Sequence, residues 1–119
     1  MKVLIVEDSA FIAKAISLIL RKEGISSLIT DDGAKVPGIV KKEKISLVIL
    51  DIMMPNVSGI EVFEMLKKDP QTSPVKILIL TAKTDILKWN DKLKFCDAFM
   101  TKPFDNEELA KEVKRLLCS

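Results

Sequence analysis

The chain has 119 residues, of which 48% are hydrophobic and 30% are charged, a composition typical of a folded globular domain and not of a disordered segment. Its 19 basic and 17 acidic residues give a net charge of +2, too close to balance to indicate a nucleic-acid or membrane surface as partner. The chain has no histidine, and its two cysteines, Cys96 and Cys118, lack the spacing of metal ligands. We therefore expect free thiols in a reducing cytoplasm.

Apolar runs are too short to direct the chain into a membrane. The longest aliphatic runs have four residues, whereas a membrane-spanning helix needs about 20. The run that follows the first two residues is also too short for a signal peptide. The sequence therefore predicts a cytoplasmic protein without a membrane anchor.

Strands and helices are predicted to alternate along the whole chain. Short aliphatic runs indicate buried strands, and apolar residues at helical spacing indicate amphipathic helices. In chain order, the predicted elements are a strand at 2–6, a helix at 10–22, a strand at 25–30, a helix at 34–42, a strand at 46–51, a helix that follows 59 and ends near 68, a strand at 76–80, a helix at about 84–94, a strand at 98–100 and a last helix that opens at 105. Five β-α units with connections long enough for right-handed crossovers predict one three-layer α/β domain over residues 1–119.

Several predicted helix ends carry recognisable signals. Ser9 is a predicted N-cap of the first helix, and Gly24 is its C-terminal stop. Proline is tolerated only in a first turn, so Pro37 predicts a short or loose second helix. The last helix opens with Asp105 and has Glu108 three residues on, a pattern similar to a capping box.

Acidic residues stand at the carboxyl ends of two predicted strands. Glu7 and Asp8 follow the first strand, and Asp51 ends the third, directly after four aliphatic residues. Thr81 ends the fourth strand and Lys102 follows the fifth, so all five side chains are expected at the edge of a parallel sheet where ligands bind. Clustered carboxylates repel unless a cation lies among them, and oxygen ligands without histidine or cysteine favour Mg²⁺ or Mn²⁺. The residues alone thus predict Mg²⁺-dependent phosphate chemistry on a carboxylate.

Five segments of the chain resemble the receiver domain of bacterial two-component response regulators. They occur in the family's order with near-family spacing and span nearly the whole chain. The segments are Glu7-Asp8-Ser9, Leu50-Asp51-Ile52-Met53-Met54-Pro55, Gly59, Thr81-Ala82-Lys83 and Thr101-Lys102-Pro103-Phe104. The resemblance implies an α/β fold of the doubly wound, flavodoxin-like type, in which a five-stranded parallel sheet of order 2-1-3-4-5 has helices on both faces.

The resemblance also implies roles for the acidic residues. Asp51 would be the phosphoacceptor, which takes a phosphoryl group from a sensor histidine kinase or a phosphotransfer protein. A Mg²⁺ site would be formed by Asp8, Asp51 and the backbone carbonyl of Met53, with Glu7 bound through water. Phosphoryl transfer needs mostly positioning and charge neutralisation, which such a site supplies.

Residues near the ends of the fourth and fifth strands complete the site that the resemblance implies. Lys102 would pair with the phosphoryl oxygens, and Thr81 would donate a hydrogen bond to one of them. Phe99 matches the aromatic residue that swings inward when Thr81 moves, and Pro103 matches a proline that usually follows a cis peptide bond. The implied function is a signalling switch that catalyses only its own phosphorylation and dephosphorylation, and not an enzyme with a separate substrate.

A downstream protein target is implied as well. Its expected docking face consists of the helix at 84–94, the fifth strand and the last helix, without direct contact to nucleic acid or membrane. The chain departs from the family near this face, because Phe95-Cys96 stands in place of a usual glycine and the segment 81–102 is about one residue short. We expect no output domain after the last helix.

Alternatives stay open for the function and for single residues. A Mg²⁺-dependent phosphohydrolase of similar fold usually has a second acid two residues beyond its nucleophile, where this chain has Met53. A receiver-like interaction module without phosphorylation would not need the acidic residues or Lys102. Glu7 could also be a solvated strand-end acid, and Phe99 could belong to the core.

The orientation of Trp89, the only tryptophan, depends on the register of its helix. Ile86, Trp89 and Leu93 fall on one helical stripe, which predicts a buried indole. The segment 81–102 is about one residue shorter than in the family. If that residue is lost near Phe95, Asn90 turns inward and Trp89 becomes an exposed aromatic for partner docking. A buried Asn90 would need hydrogen-bond partners, so we favour the buried tryptophan.

Overall fold

Five parallel strands form the centre of the protein in a computed structural model, which describes residues 2–82, 91 and 94–118. The strands are β1 (Lys2–Val6), β2 (Ser26–Thr30), β3 (Leu47–Asp51), β4 (Lys76–Ala82) and β5 (Ala98–Lys102). They form one sheet in the order β2-β1-β3-β4-β5, and each neighbouring pair is parallel. The predicted fold class and strand order are confirmed.

Helices flank the sheet along the described part of the chain. We label them α1 (Ala10–Lys22), α2 (Val36–Glu43), α3 (Gly59–Lys68) and α4 (Asn106–Cys118), with a 3₁₀ helix at Gly33–Lys35 before α2. Pro37 stands in the first turn of α2, and the helix has only 8 residues, as its sequence predicts. The helix predicted at 84–94, the orientation of Trp89 and the segment residue Lys83 lie outside the described residues, which include only Asp91 and Lys94 of that stretch.

Two strands are longer than the sequence predicts. β4 and β5 run beyond the predicted ends at 80 and 100, because they pair with each other through Thr81 with Thr101 and Ala82 with Lys102. Lys102 is therefore the last residue of β5 and does not follow the strand. β2 begins one residue later than predicted, at Ser26. Pairing with a neighbouring strand thus fixes the backbone of Lys102.

Buried aliphatic side chains cover both faces of the sheet, because successive strand residues point to opposite sides. On the face with α2 and α3, Leu4 and Phe63 belong to one buried cluster. On the face with α1 and α4, Ile5, Ile16 and Leu109 belong to a second. Helices therefore lie on both faces, as expected. None of the helices in the described ranges is long and apolar enough to span a bilayer.

Side-chain caps hold the first turns of α1 and α4. Oγ of Ser9 accepts a hydrogen bond of 3.3 Å from the N–H of Ile12. Oδ1 of Asp105 accepts from the N–H groups of Glu107 and Glu108 at 2.8 and 3.1 Å. The N-cap predicted at Ser9 is confirmed, and Asp105 caps α4, whereas the reciprocal bond of a capping box from Glu108 stays a prediction. The cap on α1 fixes the end of the short loop that carries the acidic residues after β1.

Candidate functional site

The carboxyl ends of β1 and β3 bring three acidic residues together. Glu7 and Asp8 follow β1, and Asp51 is the last residue of β3. One carboxylate oxygen of each residue lies within 4.8 Å of those of the other two. The N–H of Glu7 donates to the carbonyl of Thr30 at 3.1 Å, which continues the β1–β2 ladder into this loop. The three acids therefore meet at the sheet edge that the sequence predicts.

Burial divides the three acidic residues into two kinds. Glu7 and Asp51 are 2% and 5% exposed, whereas Asp8 is an exposed residue. The alternative that Glu7 is a solvated strand-end acid is therefore wrong. Burial raises the pKa of the Glu7 carboxyl to about 7, against the effect of its hydrogen bond with Lys102, and the charge of Asp51 adds to the rise.

Lys102 places a positive charge between the two buried acids. Its Nζ donates to Oε2 of Glu7 at 2.8 Å and lies 3.3 Å from Oδ2 of Asp51. Burial lowers the pKa of Lys102, but the hydrogen bond to Glu7 and the charge of Asp51 outweigh burial, and the pKa is raised overall. Lys102 is therefore part of the acidic site. The peptide bond between Lys102 and Pro103 is cis, as the resemblance implies.

The carboxylate oxygens of the three acids differ in the hydrogen bonds that they accept. Oε2 of Glu7 accepts from Lys102, and Oε1 accepts from the N–H of Ser9 at 3.2 Å. Oδ1 of Asp51 accepts from the N–H of Met53 at 3.2 Å. Asp8 forms no ion pair with any residue that the structure describes. Asp8 is thus the acid of this cluster that a cation can approach from solvent.

Gly59 allows the chain to pass close to the backbone of Asp51. Its N–H donates to the carbonyl of Ile52 at 2.9 Å. A Cβ on Gly59 would lie 2.2 Å from the carbonyl oxygen of Asp51 and 2.6 Å from Cα of Ile52, so no side chain fits. In the sequence, Gly59 stands out only as one of the segments that resemble the family. Local patterns do not predict its contact with Asp51, and its spacing from Asp51 in the family order is the one available signal.

Thr81 lies near the carboxyl end of β4, whereas Phe99 lies further back along β5, where it pairs with Ile79, and the two side chains have contrasting environments. Thr81 is fully buried, and its Oγ1 donates to the carbonyl of Ala82 at 3.2 Å. The ring of Phe99 is on β5 and is 47% exposed, so the alternative that it is a core residue is wrong. The hydroxyl of Thr81 is therefore bonded to backbone while the aromatic side chain lies largely outside the core.

The chemistry of the cluster fits a hard divalent cation. Its side-chain donors are carboxylate oxygens, the ligands that Mg²⁺ prefers. Within the described ranges, the one cationic side chain in ion-pair contact with these acids is Lys102. Three carboxylates with one ammonium leave an excess of negative charge, which a further cation would offset. Fold and site together define a doubly wound α/β domain with an acidic binding site at the carboxyl ends of its strands.

The family to which this domain belongs follows from a match over most of its length. The family model of the response regulator receiver domain matches residues 3–114. The order of the strands and the position of the acidic cluster agree with that match. The chain therefore belongs to the response regulator receiver domain family, and the resemblance found in the sequence is confirmed.

Similar curated proteins are response regulators of greater length. The DNA-binding response regulator MtrA of Mycobacterium tuberculosis (strain ATCC 25618 / H37Rv) is 35% identical over 117 residues, which cover 98% of this chain and 50% of MtrA. The response regulator ArlR of Staphylococcus saprophyticus is 37% identical over 119 residues, which cover 98% of this chain and 52% of ArlR. The chain thus spans about half the length of the curated relatives it matches.

Solved structures with the same fold include receiver proteins from several organisms. The chemotaxis response regulator CheY4 of Vibrio cholerae has a TM-score of 0.86 and 29% identity, with 97% of each chain covered. The receiver domain of a sensor histidine kinase from Pseudomonas aeruginosa has a TM-score of 0.89 and 22% identity, with 99% of this chain and 98% of that chain covered. In that kinase domain a magnesium ion is coordinated in the active-site cleft. The similarity between that domain and this chain shows the fold alone.

Proposed function

We propose that the chain is a phosphorylation-dependent signalling switch in which Asp51 accepts the phosphoryl group. The observation that carries this proposal is the position of Asp51, a buried carboxylate at the end of β3 with Nζ of Lys102 3.3 Å from its Oδ2. A carboxylate held beside an ammonium suits phosphoryl transfer, because that reaction depends on positioning and on charge neutralisation. Membership of the receiver family supports the same role.

The proposed reaction moves a phosphoryl group from a histidine to an aspartate. A carboxylate oxygen of Asp51 attacks the phosphorus of a phosphohistidine on a sensor histidine kinase or a phosphotransfer protein. A P–O bond forms while the P–N bond breaks, and the imidazole leaving group takes up a proton. Lys102 then pairs with the phosphoryl oxygens, which replace its present contact with the free carboxylate.

Mg²⁺ is the proposed cofactor. Asp8, Asp51 and the backbone carbonyl of Met53 are its proposed ligands. Both oxygens of Glu7 already accept hydrogen bonds, from Lys102 and from the N–H of Ser9, which supports a contact through water for Glu7. When bound, Mg²⁺ supplies positive charge that offsets the negative charge of the transferring phosphoryl group.

Thr81 and Phe99 are the proposed switch residues. The hydroxyl of Thr81 now bonds to the carbonyl of Ala82, and in the phosphorylated protein it would turn to a phosphoryl oxygen. The half-exposed ring of Phe99 would then move inward. This movement would alter the face at β5 and α4, which is the described part of the proposed docking surface for the downstream protein target.

The proposed chemical activity of the chain has no separate substrate. Residues 1–119 act as one receiver domain in the cytoplasm, and catalyse only their own phosphorylation and dephosphorylation. The proposed partners are proteins, without direct contact to nucleic acid, because a net charge of +2 gives the chain no strongly basic character. Two residues beyond Asp51 the chain has Met53 and no acid, which supports a switch over a phosphohydrolase.

Incubation with acetyl phosphate and Mg²⁺ tests the role of Asp51. We expect one phosphoryl group on Asp51, detected by intact mass and located by peptide mapping. Asp51→Asn keeps the shape of the side chain but loses the anionic nucleophile, so labelling should be abolished. Asp31→Asn alters an exposed acid outside the three-carboxylate cluster and should leave labelling unchanged. Full labelling of Asp51→Asn at another carboxylate would refute the assignment.

A further inference from the structure

An apolar groove lies along the β2 edge of the sheet, outside the acidic site. β2 is a terminal strand of the sheet, and among the strands of the described residues its one neighbour is β1. The groove has a volume of about 640 Å³ and is lined by residues of β2, the 3₁₀ helix and α2, among them Leu28, Ile29, Lys35, Ile39 and Lys42. The function proposed above makes no use of this groove.

The backbone groups of two of the five β2 residues point away from the sheet. The N–H of Glu7 donates to the carbonyl of Thr30, so the ladder with β1 uses the backbone groups of Thr30 and, by alternation, of Leu28 and Ser26. The backbone groups of Ser27 and Ile29 therefore face outward. β2 contains no charged residue and no proline, and its five pairs with β1 run without a bulge. The strand thus lacks the usual features that protect a sheet edge from further pairing.

Apolar side chains flank this open backbone on both faces of the sheet. Leu28 and Ile39 pack partly buried against the cluster under α2 and α3. Ile29 points to the opposite face by strand alternation and is 48% exposed. Gly38 has no side chain, and nothing lies within 4 Å of the position that its Cβ would take. The groove is therefore open beside Gly38. A strand added beside β2 could therefore bury apolar side chains against Ile29 on one face, while its other face would lie over the groove beside α2.

The rim of the groove has a positive charge. Lys35 and Lys42 are exposed, and neither forms an ion pair with another residue in the described part of the chain. The acid on the rim, Glu43, lies 4.0 Å from Nζ of Lys2, which offsets its charge. Lys35 and Lys42 are about two helical turns apart and both line the groove. This charge favours an acidic occupant over a basic one.

A second copy of the chain is a poor occupant for the same reason. In an antiparallel β2–β2 pair, the two-fold axis is perpendicular to the sheet, so α2 of both copies would lie on the same face. Lys35 and Lys42 of the two copies would then stand on one face of the junction, where like charges repel. We propose that the β2 edge binds an extended segment of a partner protein in which acidic and apolar residues alternate, and that this segment adds to the sheet as an outer strand.

A blocked synthetic peptide of alternating glutamate and valine is the probe for this site. Titration of the isotope-labelled protein should shift the amide signals of Ser27 and Ile29 most and slow their hydrogen exchange. The same peptide with lysine in place of glutamate should bind at least about tenfold more weakly, because its charges repel the rim. A peptide with N-methylated amides cannot donate ladder hydrogen bonds and should not bind.

Charge reversal on the protein provides the matched comparison. Lys35→Glu with Lys42→Glu should weaken binding of the acidic peptide at least about tenfold. Lys22→Glu with Lys111→Glu changes the net charge equally at exposed sites outside the groove and should leave the affinity unchanged. Equal affinity in the two double variants, shifts away from β2, or no binding would overturn the proposal. Concentration-dependent dimers with a protected Ile29 amide, without peptide, would overturn it in favour of a second copy.

Discussion

The ammonium of Lys102 donates a hydrogen bond of 2.8 Å to Oε2 of Glu7, although 95 positions separate the two residues in the sequence. β1 and β5 are not neighbours, since β3 and β4 lie between them in the sheet. The pair therefore links the ends of distant strands across the mouth of the acidic site. It also sets a positive charge against a carboxylate that is only 2% exposed, so removal of either partner leaves the other poorly compensated.

Replacement of Lys102 by methionine should destabilise the metal-free protein. Lys102→Met should lower the free energy of unfolding near pH 8 by about 3 kcal/mol, the lower part of the range for breaking a buried ion pair. Urea denaturation measures the change. Glu7→Gln with Lys102→Met should regain part of the loss, because the closest unpaired charge is then gone. Lys111→Met, at an exposed lysine of α4, should change the stability by less than about 0.5 kcal/mol. A double variant no more stable than Lys102→Met would contradict the pairing.

The raised pKa of Glu7 predicts how stability depends on pH. Its pKa is about 7 in the folded protein against an ordinary value of 4.5, so the folded state binds the proton more tightly than the unfolded state. This stabilising contribution is complete below pH 4.5 and is lost as the pH rises through about 7. Between about pH 5 and about pH 8, the metal-free protein should lose stability relative to Glu7→Gln. Urea denaturation with a chelator present measures both proteins, and parallel pH curves would show that Glu7 titrates normally.

Mg²⁺ should raise the melting temperature through the exposed acid of the cluster. A ligand that binds only the folded state adds about 2.7 kcal/mol when its concentration is about a hundredfold above its Kd. Asp8→Ala should abolish this response but leave a folded protein of equal or greater stability, because repulsion within the cluster falls. Glu107→Ala removes an exposed acid at the start of α4 and should keep the response. Thermal unfolding with and without Mg²⁺ measures both variants, and an unchanged shift in Asp8→Ala would exclude Asp8 as a ligand.

Two glycine-to-alanine changes should have opposite effects on stability. Gly59→Ala would place a methyl group 2.2 Å from the carbonyl oxygen of Asp51, and should cost about 2 kcal/mol or more as overpacking. The displaced backbone of Asp51 should also slow labelling by acetyl phosphate. Gly38→Ala, within α2, meets no atom within 4 Å and should stabilise the protein by up to about 1 kcal/mol. Urea denaturation measures both changes, and a stable, normally labelled Gly59→Ala would show that the loop yields without cost.

Features that depend on short stretches of sequence were predictable. The aliphatic run before Asp51 predicts a buried strand with the acid at its end, and β3 has that form. The Ser9 and Asp105 caps are also local, because each side chain bonds to an N–H two or three residues away. Parallel connections then place the strand ends at one edge, which is why the three acids could be predicted to meet.

Features that depend on distant partners were not predictable in the same way. The burial of Glu7 and its hydrogen bond with Lys102 join opposite ends of the sequence, and no local pattern contains both. The true end of β5 at Lys102 depends on pairing with Ala82 of β4. The close approach of Gly59 to Asp51 arises from the path of a loop, which composition does not specify. Exposure of Phe99 likewise depends on how neighbouring elements pack.

The bond between Glu7 and Lys102 has a consequence for the synthesis of the chain. A ribosome makes Glu7, Asp8 and Asp51 before it makes Lys102, so each growing chain has its acids before it has their ammonium. The positive charge reaches the pocket only when β5 pairs with β4. A chain interrupted before that strand would have the carboxylates of Glu7 and Asp51 but not this counter-charge. The acidic pocket is therefore completed last, by the strand that emerges last.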